Sequence, residues 1–224
     1  MTHSVEAGTV LPFFSSEHWQ RQAVLCQWFS TLMFKEPDDA TLAAYQAGDA
    51  TPLLNWLSED GLQTETGALR SAIAGLSVFE HPRLELAADF ATLFLSDARH
   101  SAAPYASCYL TERGGFMAEP ARRMAARLEN AGVMLPAEVK EPADHLAVML
   151  DYLAGGYRQL AEQDASAGGD TLKGIGQFLE QELCSWLPAF YQRCRQARVA
   201  STFYPALAGL ITAFCQNRQQ ETRT

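Results

Sequence analysis

The sequence predicts an all-α fold, a compact bundle of many helices. Apolar residues recur every three or four positions along most of the chain, which is the period of a helix with one buried face. No segment alternates predicted strands with helices, and this excludes a doubly wound α/β sheet. Apolar residues make up 48% of the 224 residues and charged residues 19%, so the chain can bury a core and is not largely disordered.

Helix boundaries follow from capping residues, prolines and glycines. The first helix is predicted to begin at Ser15, an N-cap residue, and to end at Pro37, which cannot continue a helix. Two short helices follow over 38–48 and 51–61, each opened by a capping residue and closed by a glycine. A short extended turn is predicted over 109–117. The remaining predicted helices cover residues 67–77, 82–94, 119–131, 142–162, 170–183 and 186–198, with a last one from 201 onward.

Residues 1–224 are predicted to form a single domain made of two helical halves. The N-terminal half covers about 16–134 and the C-terminal half about 146–218, joined by a proline-containing hinge at about 135–145. Such a connector permits two copies to exchange halves. We therefore expect a monomer as the main species and a separable domain-swapped homodimer.

Composition and charge narrow the choice of partners. Lys and Arg number 17 against 26 Asp and Glu, and the net charge of −9 argues against a nucleic-acid partner. The N-terminus lacks the features of a secretory signal, and the five cysteines lack C-x-x-C spacing, which favours a cytoplasmic protein with free thiols. The uncharged stretch 199–217 contains polar residues and helically spaced apolar ones, which predicts a buried helix rather than a membrane span.

Motifs of catalysis and metal binding are absent from the sequence. It contains no P-loop, no H-E-x-x-H and no G-x-S-x-G, and its histidines and cysteines are scattered. A triad of Ser107, His145 and Asp144 is disfavoured because adjacent residues on a helix point in different directions. The chain is therefore predicted not to be an enzyme, with no catalytic residue, no metal ligand and no required cofactor.

Three segments, in this order, carry a family resemblance. They are LELAADFATLFL at 84–95, PYASCYL at 104–110 and EPADHLAVMLDYLA at 141–154. Together they resemble the TorD/DmsD family of chaperones for molybdenum-containing redox enzymes, and the E-P-x-D-H motif of that family is matched in full. The PYAS and LELAADF forms are closer to the branch that serves trimethylamine N-oxide reductase. The similarity extends from about residue 19 to 215.

The resemblance implies a cytoplasmic, all-helical, system-specific chaperone. Such a protein binds an apo-molybdoenzyme reductase (TorA-like) and its twin-arginine signal peptide. It keeps this client competent for insertion of molybdopterin guanine dinucleotide and prevents premature export or degradation. The resemblance allows a contact between the chaperone and this cofactor during its insertion into the client. The alternatives are a chaperone for a related DMSO-type reductase and a magnesium-dependent protein with weak GTP binding or GTPase activity.

The resemblance also assigns the residues that bind the signal peptide and the client. In this sequence they are Phe90, Leu93, Pro104, Tyr105, Ser107, Glu141, Pro142, Asp144 and His145.

The E-P-x-D-H segment has two interpretations from its residues alone. Pro142 fits the first position of the predicted helix, so Glu141 would be its cap and Asp144 its third residue. An acid there stabilises the helix start through the helix dipole. Alternatively, Glu141 and Asp144 present negative charge to the arginines of a leader peptide. His145, beside an apolar stripe, is either a half-buried structural residue or a contact to the client.

The apolar and basic residues that are candidates for the binding site also have two possible roles each. Phe90 is expected to line a groove for the client's apolar segment, while Phe94 is expected in the core. Arg122, Arg123 and Arg127 form a basic helix face, which is either a solvated surface or a contact to phosphates.

Overall fold

The computed structural model describes residues 15–96, 101–111, 115–136, 139–163 and 168–223. Within these ranges the chain forms eleven α-helices and no β-strand, which confirms the predicted all-α class. The helices are α1 (Ser16–Phe34), α2 (Asp39–Ala47), α3 (Thr51–Glu59), α4 (Gln63–Gly75), α5 (Pro82–Phe90), α6 (Ser107–Leu110), α7 (Glu119–Asn130), α8 (Leu146–Glu162), α9 (Gly168–Phe178), α10 (Leu187–Gln196) and α11 (Phe203–Glu221).

The long helices α1 and α8 are paired along their length at the centre of the fold. Ser16 Oγ donates to the carbonyl of Ala161 at 2.7 Å, and Ser30 Oγ donates to the carbonyl of Ala147 at 2.8 Å. The start of α1 therefore lies at the end of α8, and the two helices are antiparallel. Because α1 precedes the connector at 135–145 and α8 follows it, the two halves share one core.

Helix α11 has buried residues along most of its length. Its aromatic residues Phe203, Tyr204 and Phe214 are fully buried, and it packs against α4 and α10. The uncharged stretch 199–217 therefore forms a core helix from Phe203 onward, as its spacing predicts, although the helix begins two residues after the predicted start at 201. Among the residues that the structure describes, no helix is both long and apolar enough to cross a membrane.

Several predicted boundaries are right and others are wrong. Ser15 caps α1, since its side chain accepts a hydrogen bond from the amide of His18. The helices predicted over 82–94 and 170–183 each end in a wider π-helical turn, at Ala91–Leu95 and Leu179–Leu183. The predicted extended turn over 109–117 is wrong at its start, because Tyr109 lies in α6; residues 112–114 of that prediction lie outside the described residues.

The helix predicted over 142–162 begins four residues late. Residues 142–145 form a turn, and α8 starts at Leu146 with His145 as its N-cap. The expectation that Glu141 caps the helix and that Asp144 is its third residue is therefore wrong. The physical reason is that residues 144–146 pair through their backbones with residues 104–106.

Candidate functional site

The PYAS and EPADH segments, which are 37 residues apart in sequence, pair through their backbones. The amide of Ala106 donates to the carbonyl of Asp144 at 3.1 Å, and the amide of Leu146 donates to the carbonyl of Pro104 at 2.8 Å. These two bonds form an isolated antiparallel bridge between Tyr105 and His145. Because the carbonyl of Asp144 accepts from Ala106 and not from a helical amide, a helix does not run through residues 142–144, and α8 begins only at Leu146. The structure thus brings together the two family motifs predicted to form the site.

The buried carboxylate of Asp144 stabilises this pairing through hydrogen bonds to Ser107. Its Oδ2 accepts hydrogen bonds from the amide of Ser107 at 2.8 Å and from Ser107 Oγ at 2.5 Å. Ser107 Oγ in turn accepts from the amide of Ala118 at 3.2 Å, so three segments meet here. Both Asp144 and Ser107 are 0% exposed. Asp144 therefore holds the site together from beneath and does not present its charge to solvent.

Glu141 is the carboxylate of the motif that solvent reaches. It is half-buried, and its Oε2 accepts a 2.5 Å hydrogen bond from the hydroxyl of Tyr105. Burial and the neighbouring Glu141 carboxylate raise the pKa of Tyr105, so the phenol keeps its proton and remains the donor. This bond fixes the position of the carboxylate at the surface of the site. Pro142, also half-buried, follows it in the turn.

His145 is buried and its side chain caps the start of α8. It is 5% exposed, and its Nδ1 accepts a 3.1 Å hydrogen bond from the amide of Ala147, which caps α8. Burial lowers the pKa of His145 to about 4, against the opposing effect of Glu141 and Asp144. The ring therefore remains an acceptor at neutral pH.

Four rings form a row in which the exposed Phe34 and Phe116 lie at the ends, with the buried His145 and the half-buried Tyr105 between them. The ring centroid of His145 lies 4.9 Å from that of Tyr105 and 6.3 Å from that of Phe34. The ring centroids of Tyr105 and Phe116 are 5.1 Å apart. Phe34 is 42% exposed and Phe116 53%. Sequence reasoning missed both, because Phe34 lies far along the chain from Tyr105 and no local pattern links Phe116 to it. Met117, with a positive φ of 54°, extends the row as an exposed apolar residue.

An apolar groove begins where this row ends. It lies between the C-terminal end of α1, the start of α8 and the connector, and it has a volume of about 250 Å³. Phe34 belongs to both the aromatic row and the groove. The residues that line the groove are Gln27, Ser30, Thr31, Phe34, Lys35, Leu135, Pro136, Val139, Ala147, Val148 and Asp151.

Phe90 and Leu93 lie in the core and not in this groove. Phe90 is 5% exposed and contacts Phe94 at 5.1 Å and Tyr204 at 5.5 Å, while Leu93 is fully buried. The expectation that Phe90 lines an open groove therefore does not match its position. Phe94 lies in the core, as expected.

The basic face of α7 is largely neutralised within the protein. Arg123 Nε donates to Glu182 Oε1 at 2.8 Å and Arg127 Nε donates to the same oxygen at 3.1 Å, with Glu182 1% exposed. Arg123 also pairs with Glu119, and Arg122 is exposed. Two of the three guanidinium groups therefore hold α7 to the rest of the bundle. Within the described ranges, no group of three His, Cys, Asp or Glu side chains could hold a metal ion.

The sequence is similar to a family model and to several known proteins. A family model described as nitrate reductase delta subunit matches residues 59–192. The chain is 38% identical over 199 residues to a chaperone protein TorD of Vibrio vulnificus, covering 88% of this chain and 92% of the relative. It is 32% identical over 194 residues to a chaperone protein TorD of Actinobacillus succinogenes, covering 87% and 94%.

A solved structure is also similar, a putative redox enzyme maturation protein from Archaeoglobus fulgidus. It is 15% identical with a TM-score of 0.41 and covers 91% of this chain and 94% of its own. The similarity to the TorD relatives covers 88% and 87% of this chain. The chain therefore belongs to the TorD family of chaperones.

Proposed function

We propose that the protein is a cytoplasmic, system-specific chaperone for a periplasmic molybdoenzyme, a reductase of the trimethylamine N-oxide type. It binds the twin-arginine signal peptide and the apoenzyme until the client has received molybdopterin guanine dinucleotide. That cofactor belongs to the client, so the chaperone needs none of its own. Family membership supports the chaperone role, and the site supports the binding of an arginine-bearing peptide.

The observation that carries this proposal is the fixed, solvent-accessible carboxylate of Glu141 beside the ring of Tyr105. A guanidinium group pairs with a carboxylate through directional, charge-assisted hydrogen bonds. It also packs favourably on an aromatic face. Because the Tyr105 hydroxyl already holds one side of the carboxylate, little side-chain entropy is lost when an arginine binds. The remaining lone pairs of Glu141 are those that accept from the client.

The other motif residues have a positioning role in this scheme. Asp144 and Ser107 are buried beneath the site and keep the PYAS segment against the start of α8. Pro104 contributes its carbonyl to the same pairing. These residues therefore influence binding through Tyr105 and Glu141, which contact the client.

The test is a calorimetric titration of a synthetic twin-arginine leader into the chaperone. We expect the wild-type chain to bind the leader, and both Glu141→Gln and a leader with its two arginines changed to glutamine to weaken binding. One lost charge-assisted contact of about 1–2 kcal/mol corresponds to a roughly five- to thirtyfold rise in Kd. Glu162→Gln, which changes an exposed acid at the other end of α8, is the matched control and should leave the Kd unchanged.

Two results would contradict the proposal. One is heat signals that do not differ between the twin-arginine leader and its glutamine version. The other is an equal change in Kd for Glu141→Gln and Glu162→Gln, which would show that net charge, and not the site, determines binding.

A further inference from the structure

A cavity of about 350 Å³ lies between α7, α8 and α9, apart from the two motifs. This volume is within the roughly 300–1,000 Å³ of pockets that hold small molecules. The described residues that line it come from the end of α7 and the chain just after it, from α8 and from α9, and none belongs to the PYAS or EPADH segment. The proposed function therefore leaves this cavity without a role.

Two glycines in the lining of this cavity are not required by the packing of the protein. A Cβ atom at Gly155 in α8 or at Gly174 in α9 would meet nothing within 4 Å beyond its own stretch of helix. By contrast, a Cβ atom at Gly156 would lie 3.2 Å from Ile175, so the contact between the two helices explains that glycine. Glycine inside a helix is less favourable than alanine. Gly155 and Gly174 thus expose bare backbone to the cavity at a cost in stability, as expected where a ligand approaches the backbone closely.

Two aromatic rings and one cation also line the cavity. The ring centroids of Tyr152 and Phe178 are 4.9 Å apart, and the guanidinium carbon of Arg127 lies 5.9 Å from the centroid of Phe178. Among the described residues that line the cavity, Arg127 is the only charged one. Aromatic side chains pack well against another flat ring, and a guanidinium group pairs with a carboxylate. The lining is therefore suited to a flat ring that carries a negative charge.

The guanidinium group of Arg127 is held in place and still has a donor for a ligand. Its Nε donates to Glu182 Oε1 at 3.1 Å, and its Nη2 donates to Gln181 Oε1 at 3.3 Å. Its Nη1 takes part in neither bond, and 29% of the side chain is exposed. Because the group is already oriented, little side-chain entropy is lost when a carboxylate accepts from it.

We infer that this cavity binds a small planar aromatic acid. The ring lies against the bare backbone of Gly155 and Gly174 and beside Tyr152 and Phe178, and the carboxylate accepts from Arg127. The inference goes beyond the proposed function and does not depend on it, because the residues concerned lie outside the site of Tyr105 and Glu141.

The isoleucine methyl groups give a readout of position for the first test. The chain has three isoleucines, of which Ile175 lines this cavity, Ile73 lines the larger cavity between α2, α3 and α4, and Ile211 is fully buried in α11. The full chain, labelled with carbon-13 at these methyl groups, is titrated with naphthoate, a planar aromatic acid, and followed by NMR. We expect a saturable shift of the Ile175 signal, caused by the ring current of the bound probe, and unchanged signals from Ile73 and Ile211.

A second probe and three variants make the assignment specific. Naphthamide has the same shape as naphthoate without the charge, and it should bind the wild-type chain about three- to tenfold more weakly. Gly155→Leu and Gly174→Leu fill the cavity with a residue that helices favour, and each should weaken naphthoate binding by about tenfold or more. Gly67→Leu is the matched control, since Gly67 is an equally open helical glycine of α4 outside this cavity, and its Kd should stay within about twofold of the wild-type value.

Four results would overturn the inference, and three of them need no variant to fold. They are the absence of any shift up to about 10 mM naphthoate, a shift at Ile73 or Ile211 in place of Ile175, and equal affinities for naphthoate and naphthamide. The fourth is an equal Kd for Gly155→Leu and Gly67→Leu when circular dichroism shows both to be folded. None of these results affects the titration with the leader, which tests the proposed function separately.

Discussion

Replacing Asp144 by alanine tests whether this residue holds the site together from beneath. The substitution removes the acceptor of two hydrogen bonds, from the amide and the hydroxyl of Ser107, at a place that solvent does not reach. The amide of Ser107 would then be buried without a partner. The hydroxyl, which also accepts from Ala118, would lose its only acceptor among these contacts.

The expected loss of stability can be worked out from these contacts. A hydrogen bond to a charged group contributes about 1.5–3 kcal/mol, and a buried donor left without a partner costs about 1–3 kcal/mol. The carboxylate of Asp144 is also relieved of its burial cost, which offsets part of the sum. We therefore expect Asp144→Ala to lower the free energy of unfolding by about 3–5 kcal/mol. This is a large share of the roughly 5–15 kcal/mol of a typical domain.

Urea unfolding followed by circular dichroism measures this change. The midpoint should fall with little change in the denaturant slope, because the folded state keeps its size. Ser107→Ala should cost less, because the amide of residue 107 still donates to Asp144. The double variant should show a coupling of about 1.5–3 kcal/mol, since both changes remove the bond from the Ser107 hydroxyl to Asp144. A loss below about 1 kcal/mol for Asp144→Ala, or simple additivity with Ser107→Ala, would refute the assigned role of Asp144.

Three further substitutions each test the surroundings of one residue. Because burial lowers the pKa of His145 to about 4, below its ordinary value of about 6.5, its contribution to stability is complete above pH ~6.5 and is lost as the pH falls towards 4. His145→Asn keeps a capping side chain and should flatten the pH dependence of unfolding by up to about 3 kcal/mol over this interval. Gly209→Ala should lower the melting temperature by several degrees, because the new methyl group would lie 3.0 Å from the ring of Tyr191. Gly155→Ala, in open space within α8, should raise the unfolding free energy by about 0.5–1 kcal/mol in the same assay.

The fold class was predictable because it depends on local pattern. The apolar period, the N-cap at Ser15 and the glycines at 48, 61 and 132 are all short-range signals. Each glycine adopts the positive φ that ends a helix or turn without strain. The long uncharged stretch of α11 was predictable for the same reason, since its polar residues exclude a lipid environment.

The start of α8 was not predictable from local pattern, because a long-range contact decides it. Pro142 is a favourable first residue of a helix, and Asp144 suits its first turn. The bridge from residues 104–106 competes for the same backbone groups and displaces the helix start to Leu146. Phe90 was misplaced for a related reason, since an apolar stripe gives the buried face of a helix but not the neighbour that covers it.

The two acids of the E-P-x-D-H motif differ because their surroundings differ, although they are three residues apart. Asp144 is fully buried and accepts from Ser107, whereas Glu141 is half-buried and accepts from the hydroxyl of Tyr105. The bridge between Tyr105 and His145 joins the two arrangements, so the buried carboxylate of Asp144 helps to place the half-buried carboxylate of Glu141. Loss of Asp144 should therefore weaken peptide binding through displacement of Tyr105. Loss of Glu141 should weaken binding while leaving the unfolding free energy nearly unchanged.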